Sequence, residues 1–391
     1  MVINLFIFLA VMFLLTFLLG KIIEKFRVPW IFAALLLGSL LAIYNPFKSI
    51  TSSSEFNFLA NLGMYFLLFI IGFELNLKKL KQQKKFIFKA TFFIILFEAL
   101  FGSMIVHFVF NYNWFISVVV ALSFATVGEA ILVPILDEFK IINTKLGQTI
   151  IGIATLDDIF EVLTLILAMF LVGKSLSVSS ANSFAIILSL LALFTLAYGL
   201  TKLKKHDGRF SFLSIEMLFV FILFILFLFL GIGEFAHASA IAALLSGIAL
   251  KNFLPRSRLK LVESEIKTMC YGFFAPVFFL WVGASMDIKY LISYPLLILL
   301  IVIVSKSAKL LSSWYIGRKE LGSKQSLLLG IGLSVRFSTS IIITKILLEN
   351  NIIGLGIYSV IIASSIVFKF LVPVLFSNLL VKWGIAKNER I

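Results

Sequence analysis

Charge is scarce in this chain and cysteine is nearly absent. Only 14% of the 391 residues are charged, against 61% hydrophobic, with a mean hydropathy of +1.12. Soluble domains carry about a quarter charged residues, so a water-soluble globular enzyme is excluded. Cys270 is the single cysteine, which rules out a disulfide framework and a cysteine-based metal centre. Polar stretches long enough for a folded soluble domain are also missing. At about 20 apolar residues per crossing, roughly a dozen crossings take up about two thirds of the chain. The opening "MVINLFIFLAVMFLLTFLLGK" has no basic leader and no small-residue cleavage site, and reads as a retained first helix.

What is present is the pattern of an all-α integral membrane protein. Apolar length gives about thirteen spans, near 2–20, 28–44, 55–75, 86–110, 114–137, 145–173, 181–202, 211–231, 233–252, 262–285, 289–316, 324–348 and 352–382. The formal charge of +15 comes from short clusters between them, such as "KIIEKFR", "LKKLKQQKKF", "KLKKHDGR", "KNFLPRSRLK", "GRKELGSK" and "KWGIAKNER". Each follows an odd-numbered span, so all lie on one side, which the positive-inside rule makes the cytoplasm. This places the N-terminus outside and the C-terminus inside. Such clusters are an orientation signal and not a nucleic-acid-binding stripe. The bilayer is the expected partner, and nucleic acid is not.

The sixth span, "GQTIIGIATLDDIFEVLTLILAMF", places Asp157, Asp158 and Glu161 at mid-length. Intramembrane ionisable groups mark ion pathways by default. Glu161 is one helical turn from both aspartates. Carboxylates this close cannot all stay ionised in a low-dielectric site without cations, so at least one holds a proton in the working pH range. The same oxygens suit a hard monovalent cation. They hold a proton or a metal ion, not both, which is the minimum that coupled exchange requires.

Spans 5 and 12 are interrupted by small and polar residues. "VVVALSFATVGEAILVPIL" carries Ser123, Thr126, Gly128, Glu129 and Pro134; "LLLGIGLSVRFSTSIIITKIL" carries Gly330, Gly332, Ser334, Arg336, Ser338 and Thr339. Broken helices at corresponding places in two halves point to a transport site at the bilayer midplane, where irregular backbone survives only if it is buried or lines a cavity. Glu129 would face the positive end that begins the second half of span 5. Arg336 would face the negative end of the first half of span 12. Span 11, "LILLIVIVSKSAKLLSSWYIGRK", buries Lys306 and Lys309 one turn apart, and either is a charge partner for the acids. Glu161 is the expected structural partner of Arg336. Glu98, His107, His237, Lys345 and Lys369 also lie in apolar context and receive no role.

These segments resemble those of the bacterial sodium/proton antiporters of the cation:proton antiporter-2 family. "GIATLDDIFEVLTL" looks like the family's paired-Asp helix, and "ALSFATVGEAILVPILDEFKIINTKLGQTIIG" like its first broken helix and following loop. "KLLSSWYIGR" resembles its lysine helix, and "SLLLGIGLSVRFSTSIII" its second broken helix. Together with the span count, the resemblance covers essentially the whole chain. It implies two inverted six-helix repeats with crossing broken helices. Residues 1–85 and 211–288 would form a dimer-making scaffold, 86–173 and 289–391 an ion-carrying core, and 174–210 a linker helix.

By matching positions, the resemblance makes Asp158 the principal cation- and proton-carrying residue, with Asp157 beside it and bound to Lys309 when no cation is present. Thr126 would lie in the first break. Lys309 fits the family's lysine run better than Lys306, which takes the role after a small register shift. Arg336 is followed by Phe337 and Ser338 where the family has Gly and Glu, and Glu161 is positioned to replace that acid. The implied activity is exchange of Na+ or Li+ for H+ across a bacterial inner membrane by a homodimer, with no cofactor and no covalent chemistry. It would be electrogenic if Asp157 and the lysine both trade protons. Potassium/proton exchange is the near alternative. Potassium-efflux relatives carry Gln in place of the first Asp and a cytoplasmic nucleotide-binding domain, whereas here Asp157 is acidic and the chain stops soon after its last helix. An intramembrane aspartyl protease would need a Gly-x-Gly-Asp motif on a separate helix, and that motif is absent. A passive channel leaves the Asp–Asp–Lys set unused.

Overall fold

The computed structural model describes residues 4–26, 28–75, 85–127, 129–175, 180–202, 214–254, 256–335 and 338–385. Among these the regular elements are helices, with no strand. A helix or helix pair occupies each of the thirteen intervals read from the sequence. Local chemistry sets several ends. Ser53, Asn113 and Ser214 accept the freed N–H of Phe56, Ile116 and Met217, capping spans 3, 5 and 8. Span 11 ends at Gly322, whose φ of 78° suits a residue without a Cβ.

Among the described residues, seven helices are long and apolar enough to cross a membrane by length and composition. The other spans miss that measure for physical reasons. Span 6, Lys145–Ser175, carries its three acids mid-length, and spans 2 and 9 are helical for only 12 and 15 residues. Spans 5 and 12 are each two short helices. Span 5 runs as Trp114–Ala125 and Glu129–Glu138, and span 12 as Ser323–Gly332 and Ser338–Glu349. Both interruptions therefore fall on the polar clusters that the sequence marked.

The helices sort into two units. The first comprises Met1–Phe13, Asn45–Leu75 and Val172–Trp281. Its centre is span 3, Ser54–Glu74, packed on span 9, Ser239–Phe253. A Cβ on Gly72 would collide with the Leu244 carbonyl, and one on Gly247 with the Phe69 carbonyl. The two helices thus touch backbone to backbone, the approach that small residues permit in membrane helices. Phe66 stacks on Phe274 of span 10 at 4.3 Å between ring centroids.

The second unit comprises Leu14–Tyr44, Asn76–Leu171 and Val282–Ile391, so it includes span 2 beside spans 4–6 and 11–13. Span 4, Lys85–Phe110, packs on the first half of span 5 and on span 11, Pro295–Leu321. The first half of span 12 lies on span 11 and on span 13, Leu355–Lys382, while its second half lies on the first half of span 5. This arrangement brings the two breaks to one place.

Replacing Gly247 with Val should lower the thermal unfolding midpoint of the purified protein by several degrees, as overpacking of about 1–3 kcal/mol requires. Gly231→Ala, with nothing within 4 Å of the added Cβ, should leave the midpoint unchanged or raise it. Differential scanning fluorimetry in detergent compares the two.

Candidate ion-binding site at the helix breaks

Breaking a helix strands carbonyls at the end of its first half and N–H groups beyond the gap. In a membrane interior these must find protein partners. Thr126 ends the first half of span 5 in an extended conformation, with φ −67° and ψ 159°, and Leu333 ends the first half of span 12. Side-chain hydroxyls fold back beside both breaks: Ser123 donates to the Val120 carbonyl and Ser334 to the Gly330 carbonyl, both at 2.7 Å.

Lys309 serves two of the freed carbonyls. Its ammonium donates to the Leu333 carbonyl at 2.7 Å and to the Thr126 carbonyl at 3.3 Å, so one cation serves the negative ends of both broken helices. Gly330 makes this reach short, because a Cβ there would stand 2.9 Å from the Leu310 Cα and 3.0 Å from the Lys309 carbonyl. The side chain is only 1% exposed. Lys306, one turn earlier, is half-buried, and among the described residues it makes no bond to either break.

Asp157 lies on the other side of the first break. It is 1% exposed, and its Oδ2 accepts the Val127 N–H at 2.6 Å, a donor freed by the interruption. The resemblance implied that Lys309 pairs with Asp157 when no cation is present; among the described residues its ion pair is with another acid. That acid is Glu98 on span 4, Oε2 to Nζ 3.1 Å, with both side chains 1% exposed. Ser305, on the lysine's own helix, donates its hydroxyl to the other Glu98 oxygen. Losing one member of a buried pair of this kind costs about 3–5 kcal/mol.

Asp158 is half-buried on span 6. Glu161 is buried, with Asp157 and Asp158 as its charged neighbours and the hydroxyl residues Thr126 and Thr339 as its polar ones. Asp157 therefore meets the first broken helix through Val127, and Glu161 lies beside both broken helices through Thr126 and Thr339. Thr126 also presents a buried hydroxyl that has no hydrogen-bond partner among the described residues. Among the described residues, no three acid, histidine or cysteine groups converge as a resident metal site.

Glu129 begins the second half of span 5 and Ser338 the second half of span 12, where Ser338 is buried. The expected Arg336 contacts, including the pair with Glu161, lie outside the described residues. Two of the lysines without a role find partners elsewhere. Lys345 bonds Ser285 and pairs with Glu349, each at 2.7 Å, and Lys369 lies 3.7 Å from the centre of the Phe32 ring. His107 stacks on Trp114. Sequence reasoning missed Glu98 as a site residue. An acid in an apolar run was the available signal, but nothing local names its partner.

Comparison with known proteins supplies the wider frame. An M. jannaschii protein named "Probable Na(+)/H(+) antiporter 3" is 26% identical over 374 residues, covering 93% of this chain and 94% of that one. A protein of Enterococcus hirae named "Na(+)/H(+) antiporter" is 29% identical over 385 residues, with the same coverages. The solved structure of the sodium proton antiporter MjNhaP1 from Methanocaldococcus jannaschii superimposes with a TM-score of 0.67, covering 95% of this chain and 98% of that chain at 19% identity. It shares the fold. The model of the family described as "Sodium/hydrogen exchanger, transmembrane" matches residues 11–382, and this multi-pass membrane chain belongs to that family.

Proposed function

We propose that this chain exchanges sodium, or lithium in its place, for protons. Asp158 and Asp157 are the groups for which cation and proton compete. The observation that carries this reading is the buried Asp157 carboxylate, fixed by the Val127 N–H at a helix break in a chain of the exchanger family. A dehydrated alkali cation needs several oxygen ligands at once. The span 6 acids, the Thr126 hydroxyl and carbonyls at the breaks are the oxygens within one neighbourhood. Glu161, beside Thr126 and Thr339, adds a third carboxylate.

Occupancy by either ion reduces the negative charge of the acids, and a site relieved of charge crosses a low-dielectric barrier more readily than an empty, fully charged one. This supports an alternating-access cycle in which residues 86–173 and 289–391 carry the site in an elevator-like movement. Residues 1–85 and 211–288 would serve as a dimer scaffold, with 174–210 as the linker. If both aspartates release protons to one sodium ion, each turnover moves net charge. The basic loops favour a cell membrane, inner in a bacterium, with the N-terminus outside and the C-terminus in the cytoplasm.

Purified protein in liposomes with an internal pH dye tests the reading. Sodium or lithium gradients should drive proton movement and potassium should not; an imposed voltage should alter the rate. Asp158→Asn should abolish cation-driven proton movement while the variant keeps its unfolding midpoint. Near-normal transport by that variant would remove Asp158 from the site. Lys309→Ala should impair exchange far more than Lys306→Ala, since only Lys309 bonds the helix breaks; the opposite ranking in the same assay would move the role one turn along span 11.

A further inference from the structure

One more buried carboxylate is left unused by the exchange reading. Glu98 sits mid-way along span 4, which packs on span 11. Its Oε2 faces the Lys309 ammonium at 3.1 Å and its Oε1 accepts the Ser305 hydroxyl. The Thr126 and Leu333 carbonyls occupy the rest of the ammonium. Two carbonyls thus accept from the ammonium, and the Glu98 carboxylate lies beside it as the ion-pair partner. Asp157 feels both Lys309 and Glu98 electrostatically, yet its close contact is the Val127 N–H.

We infer that Glu98 is the counter-ion of Lys309 in the exchange cycle, a positioning residue that holds the ammonium at the two helix breaks and away from Asp157. The inference rests on the exchange reading above. Asp157 is then at liberty to trade a proton for a cation without first breaking an ion pair. Among the described residues, Lys306 stands one turn from Lys309 on span 11 and is half-buried, and Asp157 feels both members of the pair. Without Glu98, Asp157 is an acid that stays within electrostatic reach of Lys309. An ammonium with no carboxylate of its own would compete there with sodium and with protons alike.

Sodium-driven proton movement in liposomes, titrated against sodium and pH, tests this in E98Q, E98D, K309Q and the E98Q/K309Q double variant. E98Q should raise the apparent KM for sodium about tenfold or more, the scale of close buried charge pairs. It should also move the pH of half-maximal exchange toward acid. E98D should restore most of both values. In the K309Q background, adding E98Q should change little, because the effect of Glu98 runs through the lysine. Sodium-dependent thermal stabilisation in detergent gives the same comparison for variants too slow to titrate.

Wild-type KM and pH profile in E98Q, or an equally large E98Q effect with and without Lys309, would overturn the inference. Should E98Q fail to fold, S305A removes the hydroxyl from Glu98 and keeps both charges. It should shift KM in the same direction by a smaller factor, and no shift would count against the inference. A wild-type protein that moves no protons with sodium, lithium or potassium overturns the exchange reading and this inference together. A silent E98Q in an active wild type overturns only the latter.

Discussion

A lysine ammonium buried at the meeting point of two interrupted helices is the interaction on which the second unit depends. Each interruption strands carbonyl groups where no water can solvate them, and each first half ends with the negative pole of its dipole. Lys309 answers both at once through Thr126 and Leu333. Its own charge would be untenable without an anion, and Glu98 provides one from a third helix. Four spans are therefore tied together by one side chain, and the packing of spans 4, 5, 11 and 12 follows from that bond set.

The acids of span 6 play a different part. They are not absorbed into the lysine's bonds, and Asp157 leans on a backbone N–H instead. A backbone donor stabilises a carboxylate without carrying a full charge, so it leaves room for a cation or a proton to bind there. On the proposed reading, the fixed charge pair is kept apart from the acids that exchange, which divides structural from working electrostatics within one small volume. The Thr126 residue serves both sides: its carbonyl belongs to the lysine, and its hydroxyl lies near Glu161.

Much of this was legible in the sequence because it is local. Apolar length located the spans, and the clusters around Thr126 and Ser334 marked the places where the helices stop and restart. The burial of Lys309 over Lys306 was readable only as a preference, since one helical turn separates them and periodicity does not say which face meets the breaks. Glu98 was beyond reach for a stronger reason. It and Ser305 lie 207 residues apart, and a single chain carries no record of which distant helices touch. A family resemblance pointed the lysine at Asp157, whereas the packing of span 4 on span 11 gives it Glu98.

The interlock of Gly72 and Gly247 bears on how the first unit behaves under load. Two rods whose main chains mesh carbonyl against Cα have no side-chain cushion between them, so neither slips along the other by a fraction of a turn without a steric clash. Spans 3 and 9 should consequently travel as one stiff plank, and whatever deformation a working cycle demands has to be absorbed in segments with more compliant joints.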